Sequence, residues 1–94
     1  MRLSEYEIKS IKESVTHFDP NALIYLFGSR ADDSKRGGDI DLLILSEKLT
    51  SKEKRMIKLD LYDKIGEQKI DIVISKTGAE SPFIKLARSG GVII

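Results

Sequence analysis

Three aspartates lie in segments that are otherwise strongly apolar. Asp39 and Asp41 flank Ile40 at the start of one apolar run, and Asp71 lies in a second run, Ile70–Ile74. In an extended strand, residues i and i+2 point to the same side, so Asp39 and Asp41 are expected to project together. Two carboxylates held this close repel each other and raise each other's pKa, and a bound divalent cation relieves the repulsion.

The donor atoms of this set are oxygens, and the chain contains no cysteine. Oxygen ligands suit Mg²⁺ or Mn²⁺ rather than zinc. If the strand of Asp71 lies beside the strand of Asp39 and Asp41, the three carboxylates converge on one face. Three such groups can hold two Mg²⁺ ions about 4 Å apart, an arrangement used for in-line phosphoryl or nucleotidyl transfer. The pattern therefore predicts Asp39, Asp41 and Asp71 as catalytic metal ligands.

A second group of residues is suited to binding phosphate. Gly28 directly follows an apolar run and lets the backbone approach a phosphate closely. Ser29 offers a hydroxyl and an N–H group, and Arg30 can add a bidentate guanidinium contact. A helix beginning at this point would contribute its N-terminal amides and dipole. We interpret Gly28, Ser29 and Arg30 as nucleotide-binding residues.

Each feature taken alone also has a purely structural interpretation. Gly28-Ser29 is compatible with a turn, and Asp39 and Asp41 are compatible with solvated carboxylates near a strand end. Asp71 is compatible with a charge that prevents aggregation through an edge strand. Their combination on three separate elements favours a metal and phosphate site. Residues 32–37 do not match an EF-hand loop, and the chain contains no P-loop motif.

Six elements of secondary structure are predicted to position these residues. Capping boxes open two amphipathic helices, and a Ser-Pro pair opens a third. Short apolar runs predict three strands. The predicted order begins with a helix that opens at Ser4 and stops at Asp19-Pro20, followed by strands over 22–27 and 40–45. A helix that opens at Thr50 and stops at Gly66, a strand over 70–75 and a helix over 83–89 complete it.

These elements predict a single domain over residues 1–94. Its class is α/β (α+β): a small mixed sheet with a core of three strands and helices packed on one side. The pattern does not fix the strand order. Residues 92–94 form a short apolar tail that we expect to pack back on the domain, with a partner surface as the alternative.

Composition narrows the function classes. The net charge of +1, with a third of the residues charged, argues against a broad nucleic-acid-binding surface. The lack of cysteine fits a reducing cytoplasm. No apolar stretch reaches the ~18 residues of a membrane span, and no apolar segment typical of a signal peptide follows Met1. We expect a cytoplasmic protein that does not associate with membranes.

Gly28-Ser29, followed after nine residues by Asp39-Ile40-Asp41, resembles the signature of the DNA polymerase beta-type nucleotidyltransferase superfamily. The flanking residues 26–31 and 38–42 strengthen the resemblance. Asp71 falls where that superfamily places its last carboxylate. In length the chain is similar to the minimal nucleotidyltransferases (MNT) of bacteria and archaea, which are typically paired with small helical HEPN proteins in toxin–antitoxin units.

The resemblance implies a nucleotidyltransferase fold and a role for each motif residue. Gly28 and Ser29 would hold the triphosphate, Asp39 and Asp41 would ligate the metals, and Asp71 would ligate the catalytic metal and help deprotonate the attacking hydroxyl. It also implies an antitoxin that uses ATP and Mg²⁺ to transfer AMP to a tyrosine of its HEPN partner. Two alternatives stay open: a non-catalytic module that masks the partner, and a nucleotidyltransferase acting on a small molecule. The sequence leaves both homo- and hetero-oligomers open.

Overall fold

The computed structural model describes residues 3–28, 39–66, 68–78 and 81–94. Among the described helices, none is long and apolar enough to cross a membrane. The elements in chain order are α1 (Glu5–Phe18), β1 (Leu23–Phe27), β2 (Ile40–Leu45), α2 (Ser51–Ile65), β3 (Ile70–Ser75), α3 (Pro82–Gly90) and β4 (Val92–Ile93).

The first two helices begin at the capping residues that the sequence predicts. Glu7 accepts a hydrogen bond from the Ser4 N–H at 2.9 Å, and the Glu7 N–H donates to the Ser4 hydroxyl at 3.1 Å. Glu53 accepts from the Thr50 N–H at 2.8 Å. These bonds satisfy amide groups that have no acceptor within the helix. Each capping interaction joins residues three positions apart in the chain. The sequence pattern alone is therefore enough to locate both helix starts.

The strands form one mixed sheet in the order β3-β2-β1-β4. β2 and β3 are parallel and are connected through α2, whereas β1 runs antiparallel to both β2 and β4. The predicted fold class and mixed sheet are confirmed. The C-terminal tail packs back on the domain as expected: β4 adds a fourth strand, and the Ile94 N–H donates to the Ile24 carbonyl at 2.9 Å.

The helices cover both faces of the sheet. On one face, α1 and α2 pack against a core that includes Ile40, Leu42 and Ile44 of β2. On the opposite face, Ile84 and Ala87 of α3 pack against a second cluster with Leu43 and Leu45. The expectation that all helices lie on one side therefore holds for α1 and α2 but not for α3. The reason is that β2 is apolar on both faces, so the second face also needs cover.

Two buried polar residues join the end of α1 to the end of β2. The Ser46 hydroxyl donates to the Asp19 carboxylate and accepts from the N–H groups of Lys48 and Leu49, both at 3.1 Å. The other Asp19 oxygen accepts from the Asn21 N–H at 3.0 Å. The hydrogen bond from Ser46 holds the pKa of Asp19 below its ordinary value, although burial acts in the opposite direction. This network ties the C-terminal end of α1 to the segment that follows β2.

Candidate active site

Three neighbouring strands present their motif residues at the same end of the sheet. β1 reaches that end with Phe27, which pairs with Asp41 of β2. Asp41 in turn pairs with Asp71, near the start of β3. Gly28 directly follows β1, and Asp39 directly precedes β2. The fold therefore gathers Gly28 and the three aspartates, although they come from separate parts of the chain.

We call the end of the sheet that carries Asp39, Asp41 and Asp71 the acidic edge. Asp41 and Asp71 form its centre. They occupy paired positions on parallel strands and are within hydrogen-bonding reach of each other. Asp41 is half-buried, whereas Asp71 is exposed. Burial raises the pKa of the Asp41 carboxyl, and the negative charges of Asp71 and Asp39 raise it further. The condition in the sequence interpretation, that the strand of Asp71 lies beside the strand of Asp39 and Asp41, is met. The resulting repulsion is the kind that a cation relieves.

Gly28 makes room for the Asp41 carboxylate. Its φ angle is +76°, a conformation that residues with a side chain rarely adopt. A Cβ atom at this position would overlap Oδ2 of Asp41 and lie 3.1 Å from its Cγ. The glycine is thus required by its own backbone and by its acidic neighbour. Sequence reasoning assigned Gly28 to phosphate binding and missed this contact, because it depends on the pairing of β1 with β2.

Asp39 forms an ion pair with Lys69. Its Oδ2 atom lies 3.6 Å from Nζ of Lys69, with 46% of the Asp39 side chain and 69% of the Lys69 side chain exposed. Within the part of the chain that the structure describes, no three acidic or histidine side chains converge closely enough to hold a metal ion. The predicted cluster of three carboxylates is therefore formed only in part, with Asp41 and Asp71 together and Asp39 paired to a lysine.

Lys69 was missed by the sequence interpretation. A signal for it does exist, because Lys69 and Asp71 are two residues apart, as are Asp39 and Asp41. With Asp41 opposite Asp71, this spacing places Lys69 opposite Asp39. The positive charge of Lys69 acts against the rise in the Asp41 pKa. Among the described residues, the edge is therefore acidic, with the Lys69 cation beside it.

The donor chemistry of this edge fits Mg²⁺ or Mn²⁺. Asp39, Asp41 and Asp71 offer carboxylate oxygens, the ligands that these ions prefer. Ser29 and Arg30, the other two predicted nucleotide-binding residues, lie outside the described residues and stay predictions.

A family model described as "Polymerase beta, Nucleotidyltransferase" matches residues 9–94. The match spans most of the chain and includes every motif residue of the acidic edge, and the chain belongs to this nucleotidyltransferase family. The family indicated by the spacing from Gly28 to Asp41 is confirmed. No curated protein matches the chain.

Proposed function

We propose that this chain is a Mg²⁺-dependent nucleotidyltransferase that transfers AMP from ATP to a protein hydroxyl. The observation that carries the proposal is the in-register placement of Asp41 and Asp71 at the end of the sheet, with Gly28 against Asp41. Membership of the nucleotidyltransferase family supports the reaction class. The acceptor we propose is a tyrosine of a small helical HEPN protein, for which this chain acts as a cytoplasmic antitoxin.

The proposed reaction exchanges one bond at the α-phosphorus for another. The acceptor hydroxyl oxygen forms a bond to the α-phosphorus, and the bond from that phosphorus to the pyrophosphate oxygen breaks. The Asp71 carboxylate takes the hydroxyl proton, and pyrophosphate leaves with its electron pair. Bound Mg²⁺ ions would supply charge neutralisation and orientation of the triphosphate. Asp39, Asp41 and Asp71 would hold these ions, and the backbone at Gly28 would lie against the triphosphate.

The exposure of the acidic edge supports a macromolecular acceptor. Asp71 is exposed and Asp39 is half-exposed, so the described part of the chain encloses neither carboxylate. A tyrosine side chain on the surface of a partner can reach such an edge directly. Small-molecule sites are usually concave and bury most of the ligand. The open edge thus favours a protein hydroxyl over a small acceptor.

A second candidate is a binding module that neutralises the partner by masking it. The pairing of Asp39 with Lys69 favours this candidate, because it leaves the carboxylates only partly gathered for metal binding. The two functions make opposite predictions for transfer of the nucleotide. They make the same prediction for formation of a complex, so complex formation alone does not separate them.

The test uses the chain purified together with its HEPN partner and incubated with Mg²⁺ and ATP. One sample receives ATP labelled on the α-phosphate, and a second receives ATP labelled on the γ-phosphate. We expect α-label on the partner and no γ-label. The Asp71→Asn variant should lose this transfer, whereas Asp63→Asn, which removes an exposed carboxylate from α2, should retain it. An unlabelled partner that is still neutralised would favour masking.

A further inference from the structure

The positive charge of Lys69 lies close to the acidic edge, where it would compete with a bound cation. Its Nζ atom is 3.6 Å from Asp39 Oδ2, and its charge also reaches Asp41. Its backbone is held in place, because the Lys69 carbonyl accepts a hydrogen bond from the Ile40 N–H at 2.9 Å. The long side chain is mostly exposed, so the ammonium group can move while the backbone stays fixed.

The ion pair between Lys69 and Asp39 is weak enough to open. Both side chains are largely exposed, and exposed pairs of this kind favour the paired state over the open state by less than about tenfold. Asp39 is close enough to Asp41 for its charge to raise the Asp41 pKa, so the Lys69 ammonium group lies beside a carboxylate that belongs to the acidic edge. An ammonium group 3.6 Å from Asp39 Oδ2 repels a divalent cation that approaches the same carboxylate, so the cation binds more tightly once the pair with Lys69 has opened.

We propose that Lys69 is a positioning residue that acts as a displaceable counter-ion: its ammonium group pairs with Asp39, and a divalent cation binds to the acidic edge more tightly once that group has moved away. The inference rests on the proposed function, since it takes Asp39, Asp41 and Asp71 as the metal ligands. It assigns to Lys69 a negative effect on metal affinity, which is the opposite of what a contact with the triphosphate would produce.

The experiment measures binding of Mn²⁺ alone to the protein without nucleotide, by the loss of the free-ion signal in electron paramagnetic resonance. We expect Lys69→Met to bind Mn²⁺ about threefold to tenfold more tightly than the unmodified chain at low salt. The gain should shrink as salt is added, because screening weakens the repulsion that was removed. Lys69→Arg keeps the charge and should show no gain.

Lys76→Met is the matched control, because Lys76 is an exposed lysine directly after the far end of β3. It should leave the Mn²⁺ affinity unchanged. Unchanged or weaker Mn²⁺ binding by Lys69→Met, alongside measurable binding by the unmodified chain, overturns the inference and leaves the proposed function standing. If neither protein binds Mn²⁺, the inference is overturned, and the transfer of α-label to the partner decides the metal-dependent function separately. Binding by Lys69→Met alone supports the inference in its strongest form.

Discussion

Asp41 of β2 and Asp71 of β3 occupy the same register position on neighbouring parallel strands. Thirty residues separate them in the chain, and α2 lies between. Because side chains at paired positions of adjacent strands project to the same side, the two carboxylates lie together. This relationship turns two isolated aspartates into one site.

Asp41→Asn should abolish nucleotide transfer without loss of the fold. In protein freed of divalent metal by a chelator, we expect the variant to unfold about 2–5 °C higher than the unmodified chain. The reason is that an amide removes a half-buried charge that burial and two acidic neighbours disfavour. Thermal unfolding followed by circular dichroism measures this. A lower unfolding temperature would show that the ionised Asp41 stabilises the fold.

Gly28→Ala should destabilise the protein by about 2–4 kcal/mol, because alanine has to adopt a positive φ and its Cβ overlaps Asp41. Urea unfolding gives the value. In an Asp41→Ala background the same substitution should have a smaller effect, since the overlap is gone and only the backbone strain remains. Equal effects in the two backgrounds would mean that the Asp41 carboxylate does not limit the space at residue 28.

Much of this site could be predicted from sequence because its signals are local. The spacing of Asp39, Asp41 and Gly28 relative to apolar runs placed all three at strand ends. The strand containing Asp71 was recognised by alternation. That β2 and β3 are neighbours was only a condition in the sequence argument, because strand order depends on contacts between residues far apart in the chain.

Two other features could not be predicted from patterns in the sequence. Periodicity shows that α3 has an apolar side, but not which face of the sheet that side covers. The need to bury Leu43 and Leu45 determines which face of the sheet α3 covers. The pairing of Asp39 with Lys69 depends on register and on the rotamer of a long side chain, neither of which is encoded in composition or spacing.

Asp19→Asn should reduce stability at neutral pH by about 1–3 kcal/mol, because the charged acceptor of the Ser46 hydroxyl is lost. The pKa of Asp19 in the folded protein is lowered from its ordinary value of 3.8. The stability it contributes is therefore fully present above that value and is lost as the pH falls through the lower folded-state pKa.

Urea unfolding of the unmodified chain and of Asp19→Asn across the acid range measures this contribution. The difference between the two proteins should be largest near neutrality and should shrink between about pH 5 and pH 2. A difference that stays constant with pH would mean that the ionisation of Asp19 is not linked to folding.

Gly91→Ala should destabilise the junction between α3 and β4 by about 1–3 kcal/mol. A Cβ atom there would overlap the Ala87 carbonyl oxygen and lie 3.0 Å from that of Leu26. Gly90→Ala is the matched control, because no atom lies within 4 Å of the added Cβ and alanine suits a helix better than glycine. Chemical unfolding should separate the two neighbours. Equal stability of the two variants would contradict the close approach of Gly91 to the carbonyl oxygens of Ala87 and Leu26.

The most direct test of the central claim is the intact mass of the HEPN partner after incubation with this chain, ATP and Mg²⁺. We predict a gain of one or more whole AMP units, located on a tyrosine by fragmentation, and no gain with Asp41→Asn. A partner of unchanged mass, in a stable complex with a chain that is folded, would contradict the claim that the acidic edge transfers a nucleotide.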